Sequence, residues 1–323
     1  MNMHTFKHIW VISASLCLSA CGGGGGANSN GGGTETGTLN IAITDAPVDG
    51  IAEVWVQFSA VTLKPEDGEQ LYFELETPMD INLKALTNGK VEILLDEDIP
   101  VGNYVWTKLD VNAEFDNIFD SYVVEDEGGQ IELRIPSDRL KLGNEFTVLQ
   151  GGTTAFVIDW NLRMGLTNPV GQPGYKLKPS LRVTDMSEYG TIEGTVDTNL
   201  LPPINTDCTS DEETGEGNVV YIYEGFDVIP DDIDDIAPDP LTTANVALNI
   251  DSGFQEYSIP FLAAGNYTVA FTCQASDDIV PDPDNGGLET DNDLIFTPGI
   301  NATVTNGDVT LVPFEAPTEE PAP

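Results

Sequence analysis

Histidine occurs only at positions 4 and 8 of this 323-residue chain, and lysine and arginine stop at Arg182. Once an N-terminal leader containing both histidines is removed, no imidazole remains. That excludes Ser-His-Asp and Cys-His catalysis and the imidazole ligands usual in zinc and copper sites. Cysteine is sparse as well, at positions 17, 21, 208 and 273. The apolar stretch Ile9 to Leu18 is shorter than the roughly 20 residues of a membrane-spanning helix.

Positive charge is the largest absence. The formal net charge is -42, from 54 acidic and 12 basic side chains. Residues 21–189 carry 27 acidic and 11 basic groups, whereas residues 190–323 carry 27 acidic groups and no Lys or Arg. Phosphate binding requires Lys and Arg, so nucleic acid is excluded as a partner, and anionic lipid headgroups are disfavoured on the same ground. A segment with no internal cation must offset its self-repulsion with solvent counterions or bound divalent metal. A saline habitat accounts for this acidity without any dedicated cation function.

Lys7 and the α-amino group precede the apolar stretch, as in a secretory signal. The stretch ends in Leu18-Ser19-Ala20-Cys21. This resembles the bacterial lipobox, in which an aliphatic residue and two small residues precede the lipidated cysteine. The resemblance implies a signal peptide over 1–20, cleavage before Cys21, and acylation of its thiol and new amine. Several acyl chains anchor stably where one does not. Gly rather than Asp follows Cys21, which by resemblance implies an exported protein anchored in the outer membrane of the cell envelope. Residues 21–37, rich in Gly, Asn, Ser and Thr, form the expected flexible tether, with a reach of about 20–25 Å. With Cys21 lipidated, Cys208 and Cys273 form a single pair in an oxidising compartment, most simply one disulfide.

Beyond the tether, strand patterns dominate and helical periodicity is weak. Thr38 to Thr44 and Glu53 to Phe58 alternate with period 2. Further strands are expected at 71–75, 103–115, 121–125, 130–135, 145–149, 155–162 and 176–184, with turns near Leu83 to Leu86 and Asn161 to Leu166. A second series runs 191–196, 218–223, 244–250, 255–259, 265–273, 293–296, 300–304 and 308–314. Two acidic, Pro-rich insertions, 227–240 and 276–293, read as surface loops, since burying so many carboxylates is costly. The expected fold is all-β: two tandem β-sandwich domains, 38–187 and 190–314, then a disordered tail over 315–323. The two share a local pattern, Ile99-Pro100-Val101-Gly102-Asn103-Tyr104 and Ile259-Pro260 followed by Gly265-Asn266-Tyr267. In each, a Pro/Gly turn delivers a Tyr onto a strand.

Three motif groups carry a family resemblance over residues 38–185. They are Gly37-Thr38-Leu39 with Thr44-Asp45-Ala46-Pro47-Val48-Asp49, then Val61-Thr62-Leu63-Lys64-Pro65 with Asp159-Trp160-Asn161-Leu162-Arg163, and finally Gly171-Gln172-Pro173-Gly174-Tyr175-Lys176-Leu177-Lys178-Pro179. This region resembles the family called domain of unknown function 4382. The resemblance implies an envelope lipoprotein and brings no activity with it. Residues 190–314 resemble the carboxypeptidase-regulatory-like, transthyretin-type sandwiches through Gly190-Thr191-Ile192-Glu193-Gly194-Thr195-Val196 and Ala264-Gly265-Asn266-Tyr267-Thr268-Val269. That implies a non-catalytic module.

Candidate sites are few. From Asp282 to Asp293 the chain offers carboxylates at positions 1, 3 and 12 of an EF-hand-like count, a Gly at 6, and further oxygen donors. This suits Ca²⁺ through Asp282, Asp284, Asp291 and Asp293. Glu289 stands where an apolar residue belongs, neither flank reads as a helix, and a merely solvated acidic loop is the plainer account. Asp231, Asp232, Asp234 and Asp235 form a poorer group with no fixed turn. Asp159 and Arg163, near a strand end, suit a structural ion pair. Lys176, Lys178 and Arg182 alternate on one expected strand face, either to bind an acidic glycan or to neutralise carboxylates of the second domain. Paired carboxylates suffice for glycoside hydrolysis, but Trp55, Trp106 and Trp160 all lie in strand patterns where core packing is the default. The sequence therefore points to a non-catalytic, lipid-anchored envelope module that contacts protein or glycan. It needs no cofactor, with Ca²⁺-dependent adhesion and carboxylate-dependent hydrolysis as alternatives.

Overall fold

A computed structural model describes residues 35–316 apart from 47, 88, 127, 137–138, 170 and 282–291. From Glu35 onward the described residues form one compact unit. Strands of its first half are β1 (Thr36–Ala46), β2 (Ile51–Pro65), β3 (Leu71–Asn82), β4 (Glu92–Pro100), β5 (Gly102–Asn112), β6 (Tyr122–Glu125) and β7 (Gln130–Arg134). They continue as β8 (Arg139–Leu142), β9 (Phe146–Val148), β10 (Thr153–Asn161), β11 (Leu166–Thr167), β12 (Tyr175–Leu177) and β13 (Leu181–Asp185). The second half contains β14 (Tyr189–Val196), β15 (Val219–Glu224), β16 (Thr242–Asn245), β17 (Ala247–Leu248), β18 (Gln255–Ala263), β19 (Gly265–Thr272), β20 (Ile300–Val304) and β21 (Val309–Leu311). One helical turn, α1 (Leu162–Gly165), follows β10, and a 3-10 turn spans Leu83–Leu86.

The fold is all-β, with two sheets in each half. In the first, a sheet ordered β13-β10-β1-β4 packs on a nine-stranded sheet built around the long β2. In the second, β17-β18-β14-β21 packs on β16-β15-β19-β20. Period-2 alternation explains the cores. Leu39, Ile41 and Ile43 of β1 and Phe156, Ile158 and Trp160 of β10 point one way, into one cluster with Val54, Val56 and Phe58 of β2. Ile192, Tyr257, Ile259, Val269 and Phe271 build the equivalent cluster of the second half.

The halves repeat one topology. β1 is antiparallel to β4 and parallel to β10, and β14 is antiparallel to β18 and parallel to β21. β5 lies between β2 and β9, and β19 lies between β15 and β20. The shared Tyr pattern makes the same bond twice: Tyr104 Oη donates to the Pro100 carbonyl and Tyr267 Oη to the Ala263 carbonyl, each at 2.8 Å and four residues back. Such a corner fixes the chain as it enters the next strand.

Several expectations need correction. The single strand expected over 176–184 is two strands in different sheets, β12 and β13, because Pro179 has no N–H for a ladder. Residues 293–296 form no strand. β4 and β8 were not expected. The acidic insertion 227–240 is not wholly a surface loop: it covers the outer face of the β16-β15-β19-β20 sheet, burying Ile233 with Tyr221 and Tyr223, and Asp232 and Asp234 become buried with it. Trp160 is fully buried, but Trp55 and Trp106 are half-buried, the latter under the Lys141 ammonium at 4.6 Å.

Candidate functional site

The residues that matter meet where the halves join. β10 runs inward through Trp160, whose indole N–H donates to the Lys178 carbonyl at 3.2 Å. Asn161 then caps α1 by accepting the Met164 N–H at 3.2 Å. This single turn divides its side chains: Leu162 enters the core of the first half, while Met164 packs on the Tyr221 cluster of the second. Gly165 is required here, since a methyl group would sit 2.7 Å from the Lys178 carbonyl oxygen.

Arg163, 5% exposed, is the centre of the joint. Its Nη2 lies 2.7 Å from Asp49 Oδ2 and also donates to Asn245 Oδ1 at 3.1 Å, while Nη1 donates to the Ala275 carbonyl at 3.2 Å. Asp49 also receives the Gly217 N–H at 3.1 Å and Asn245 Nδ2 at 3.2 Å. Burial alone would drive the guanidinium toward losing its proton; Asp49, with Tyr221 and Asp278, outweighs this and raises its pKa. Buried charge of this kind is tolerated only when paired and hydrogen-bonded.

Arg182 makes the second link. Its Nη2 lies 2.6 Å from Asp159 Oδ2, its cross-strand neighbour, and its Nη1 donates to the Phe261 carbonyl at 2.5 Å. Thr184 Oγ1 donates to the same carbonyl at 2.8 Å. Phe261, at φ +57, turns its ring onto Ala42, Val157 and Tyr189. Lys178 Nζ donates to the Pro281 carbonyl at 2.8 Å and lies 3.8 Å from Asp235. The cations of the first half therefore reach into the half that has none.

The expected Asp159–Arg163 pair does not form. Asp159 faces outward from its sheet opposite Arg182, whereas Arg163 leaves the strand on α1 and pairs with Asp49. Nor do Lys176, Lys178 and Arg182 share a strand face: Lys176 is buried in β12, Lys178 follows it, and Arg182 lies in β13 of the other sheet. Cys208 and Cys273 form a disulfide across 65 residues. Cys21, Asp282, Asp284 and Asp291 lie outside the described residues; Asp293 is exposed. Among the described residues no group of three or more His, Cys, Asp or Glu is placed to hold a metal ion.

One perturbed carboxylate lies in the second insertion, against tyrosines of β15. Asp278 accepts Tyr221 Oη at 2.6 Å and the Ile233 N–H at 3.3 Å, and burial pushes its pKa to about 6 despite these bonds and nearby Arg163. Tyr221 and Tyr223 are raised, chiefly by burial. The Tyr223 hydroxyl bonds to the Asp231 carbonyl. Sequence reasoning missed Asp49 and Asp278. Asp49 stood in the motif Thr44-Asp45-Ala46-Pro47-Val48-Asp49, but its partner lies 114 residues away.

Beside the joint is a cleft of about 780 Å³. Its floor is the outer face of the β18-β14 sheet, where Glu193 and Thr195 lie opposite Ser258 and Glu256. Lys84 and Thr87, the Asp159–Arg182 pair, and Thr242, Thr243 and Asn245 of β16 form its walls. Leu248 and Leu311 are exposed at its margin. A smaller, more apolar pocket of about 410 Å³ lies against the disulfide, between Phe271, Phe296 and Phe314.

A family model described as domain of unknown function (DUF4382) matches residues 36–179. No curated protein matches the chain. Among solved structures, it is similar to the Bacillus anthracis TIE protein at 12% identity, covering 86% of this chain and 34% of that one, with a TM-score of 0.18. A streptococcal ancillary pilin is 11% identical over 85% of this chain and 61% of its own, with a TM-score of 0.19. The minor pilin GBS52 of Streptococcus agalactiae is 12% identical over 88% and 99%, with a TM-score of 0.18. The chain thus spans about a third of the first of these and less than two thirds of the second.

Proposed function

We propose that this chain is a non-catalytic binding module of the bacterial cell envelope, held in the outer membrane by lipid on Cys21 and carried on the glycine-rich tether. The supporting observation is where its charged groups are committed. Arg163, Arg182 and Lys178 bond across the joint, and Asp159, one of the carboxylates lining the cleft, is ion-paired to Arg182. A glycosidase needs an acid with raised pKa facing its substrate. Asp278 has such a pKa but does not line the cleft; it is bonded to Tyr221 beneath the insertions. The transthyretin-type reading of the second half agrees with a non-catalytic role. Incorporation of an alkynyl palmitate analogue into the wild-type chain, lost in Cys21→Ala, tests the anchor; equal labelling of both would refute it.

A second reading, Ca²⁺ binding by the acidic insertions, is favoured by one observation. Asp232, 1% exposed, accepts the backbone N–H and the side-chain Nδ2 of Asn292 on Oδ2, at 2.6 and 2.8 Å, while its Oδ1 has no hydrogen-bond partner among the described residues. Asn292 follows the acidic run Asp282 to Asp291 in sequence, and carboxylate oxygens suit Ca²⁺. Calorimetry at millimolar Ca²⁺ tests it, and absence of heat would dismiss it.

A further inference from the structure

The cleft between the halves combines donors and acceptors that the protein itself leaves unused. Thr243, 2% exposed, borders it with a hydroxyl that has no hydrogen-bond partner among the described residues, and the Arg182 Nε–H is likewise buried and unpaired. Lys84 has no ion pair among the described residues, and the Glu193 carboxylate accepts from the Ser258 hydroxyl at 3.2 Å. A ligand lying in the cleft can donate to Glu193 and accept from Lys84, whereas the Thr243 hydroxyl and Arg182 Nε are closed to a water-sized group.

We infer that the cleft takes a segment of neutral polysaccharide. This deepens the reading of the chain as an envelope binding module and rests on it. Sugar hydroxyls both donate and accept, so one chemical group suits both Glu193 and Lys84. Four carboxylates line the cleft against two cations, which disfavours sulfated, phosphorylated or uronic-acid chains. Its volume lies in the range of small-ligand sites. The exposed Leu248 and Leu311 side chains offer apolar contact to the C–H faces of sugar rings. An extended peptide would instead pair with a free strand edge, and the edges here, β16 and β17, are only four and two residues long.

The test is calorimetric titration of the purified full chain with maltohexaose, cellohexaose, laminarihexaose and mannohexaose, with hexagalacturonate and an oligolysine peptide as charged controls. At least one neutral hexasaccharide binds, and Lys84→Met and Glu193→Gln each weaken it tenfold or more without lowering the melting temperature. Binding by none of the four, binding by a charged control alone, or binding that both variants leave intact would overturn the inference while leaving the module reading in place. Shortening of the hexasaccharide during titration would instead overturn the non-catalytic reading.

Discussion

Arg163 and Asp49 form a buried ion pair 2.7 Å long within the first half, and each also bonds to the second half, through Ala275, Asn245 and Gly217. The pair is an internal contact that doubles as a joint. It explains how a half with 27 acidic groups and no Lys or Arg after position 190 is held compact against its neighbour. The cations it lacks are supplied by Arg163, Lys178 and Arg182.

Removing one partner of a buried pair leaves the other charged and unpaired, a loss of about 3–5 kcal/mol. Arg163→Leu and Asp49→Asn should each lower the urea midpoint accordingly, and the double variant should lose less than the two single losses combined. Additive losses would show that the pair is not coupled.

Asp278 sets a pH dependence of unusual sign. Its folded pKa of about 6 stands above the ordinary carboxylate value near 4, because burial outweighs its bond to Tyr221 and the attraction of Arg163, while Asp232 adds repulsion. Between these values the folded state retains a proton that the unfolded state has released. The contribution of this group to stability is therefore full below about pH 4, falls as pH rises to about 6, and is constant above. Melting temperatures of Asp278→Asn and wild type across pH 4 to 8 should converge at the acid end and diverge by pH 7, with the variant higher.

The Cys208–Cys273 link closes a loop with a sequence separation of 65, for which chain entropy gives roughly 4 kcal/mol. Cys208→Ser with Cys273→Ser should lower stability by about that much, read from the denaturant midpoint.

Residues 189–316 expressed alone would lose every Lys and Arg that bonds to them. Their stability should rise steeply with salt between 0.05 and 1 M, while that of the full chain changes much less. Equal salt dependence of the two would mean that the joint contributes no electrostatic stabilisation.

The all-β class, the tandem arrangement and the disulfide could be read from the chain because each rests on a local pattern or a count. Thr38 to Thr44 alternates cleanly and becomes the middle of β1. β4 was hidden because Leu94 and Leu95 are both buried next to a register shift at Ile41/Ala42, which breaks the period, and its other positions are mostly acidic. The site was legible only as motifs. Asp45, Asp49, Asp159, Arg163 and Lys178 were all in the quoted segments, but which carboxylate meets which cation is decided by strand register and by α1 turning away from β10. Asp278 was invisible as a site, since its pKa comes from burial by an acidic insertion that composition assigns to solvent.

The most direct test of the account is to incubate the purified full chain with insoluble cell-envelope polysaccharides, measuring both retention on the solid and release of reducing ends. Retention without release is the predicted result. Release that disappears in Asp159→Asn, at equal folding, would contradict the account and make the cleft an active site.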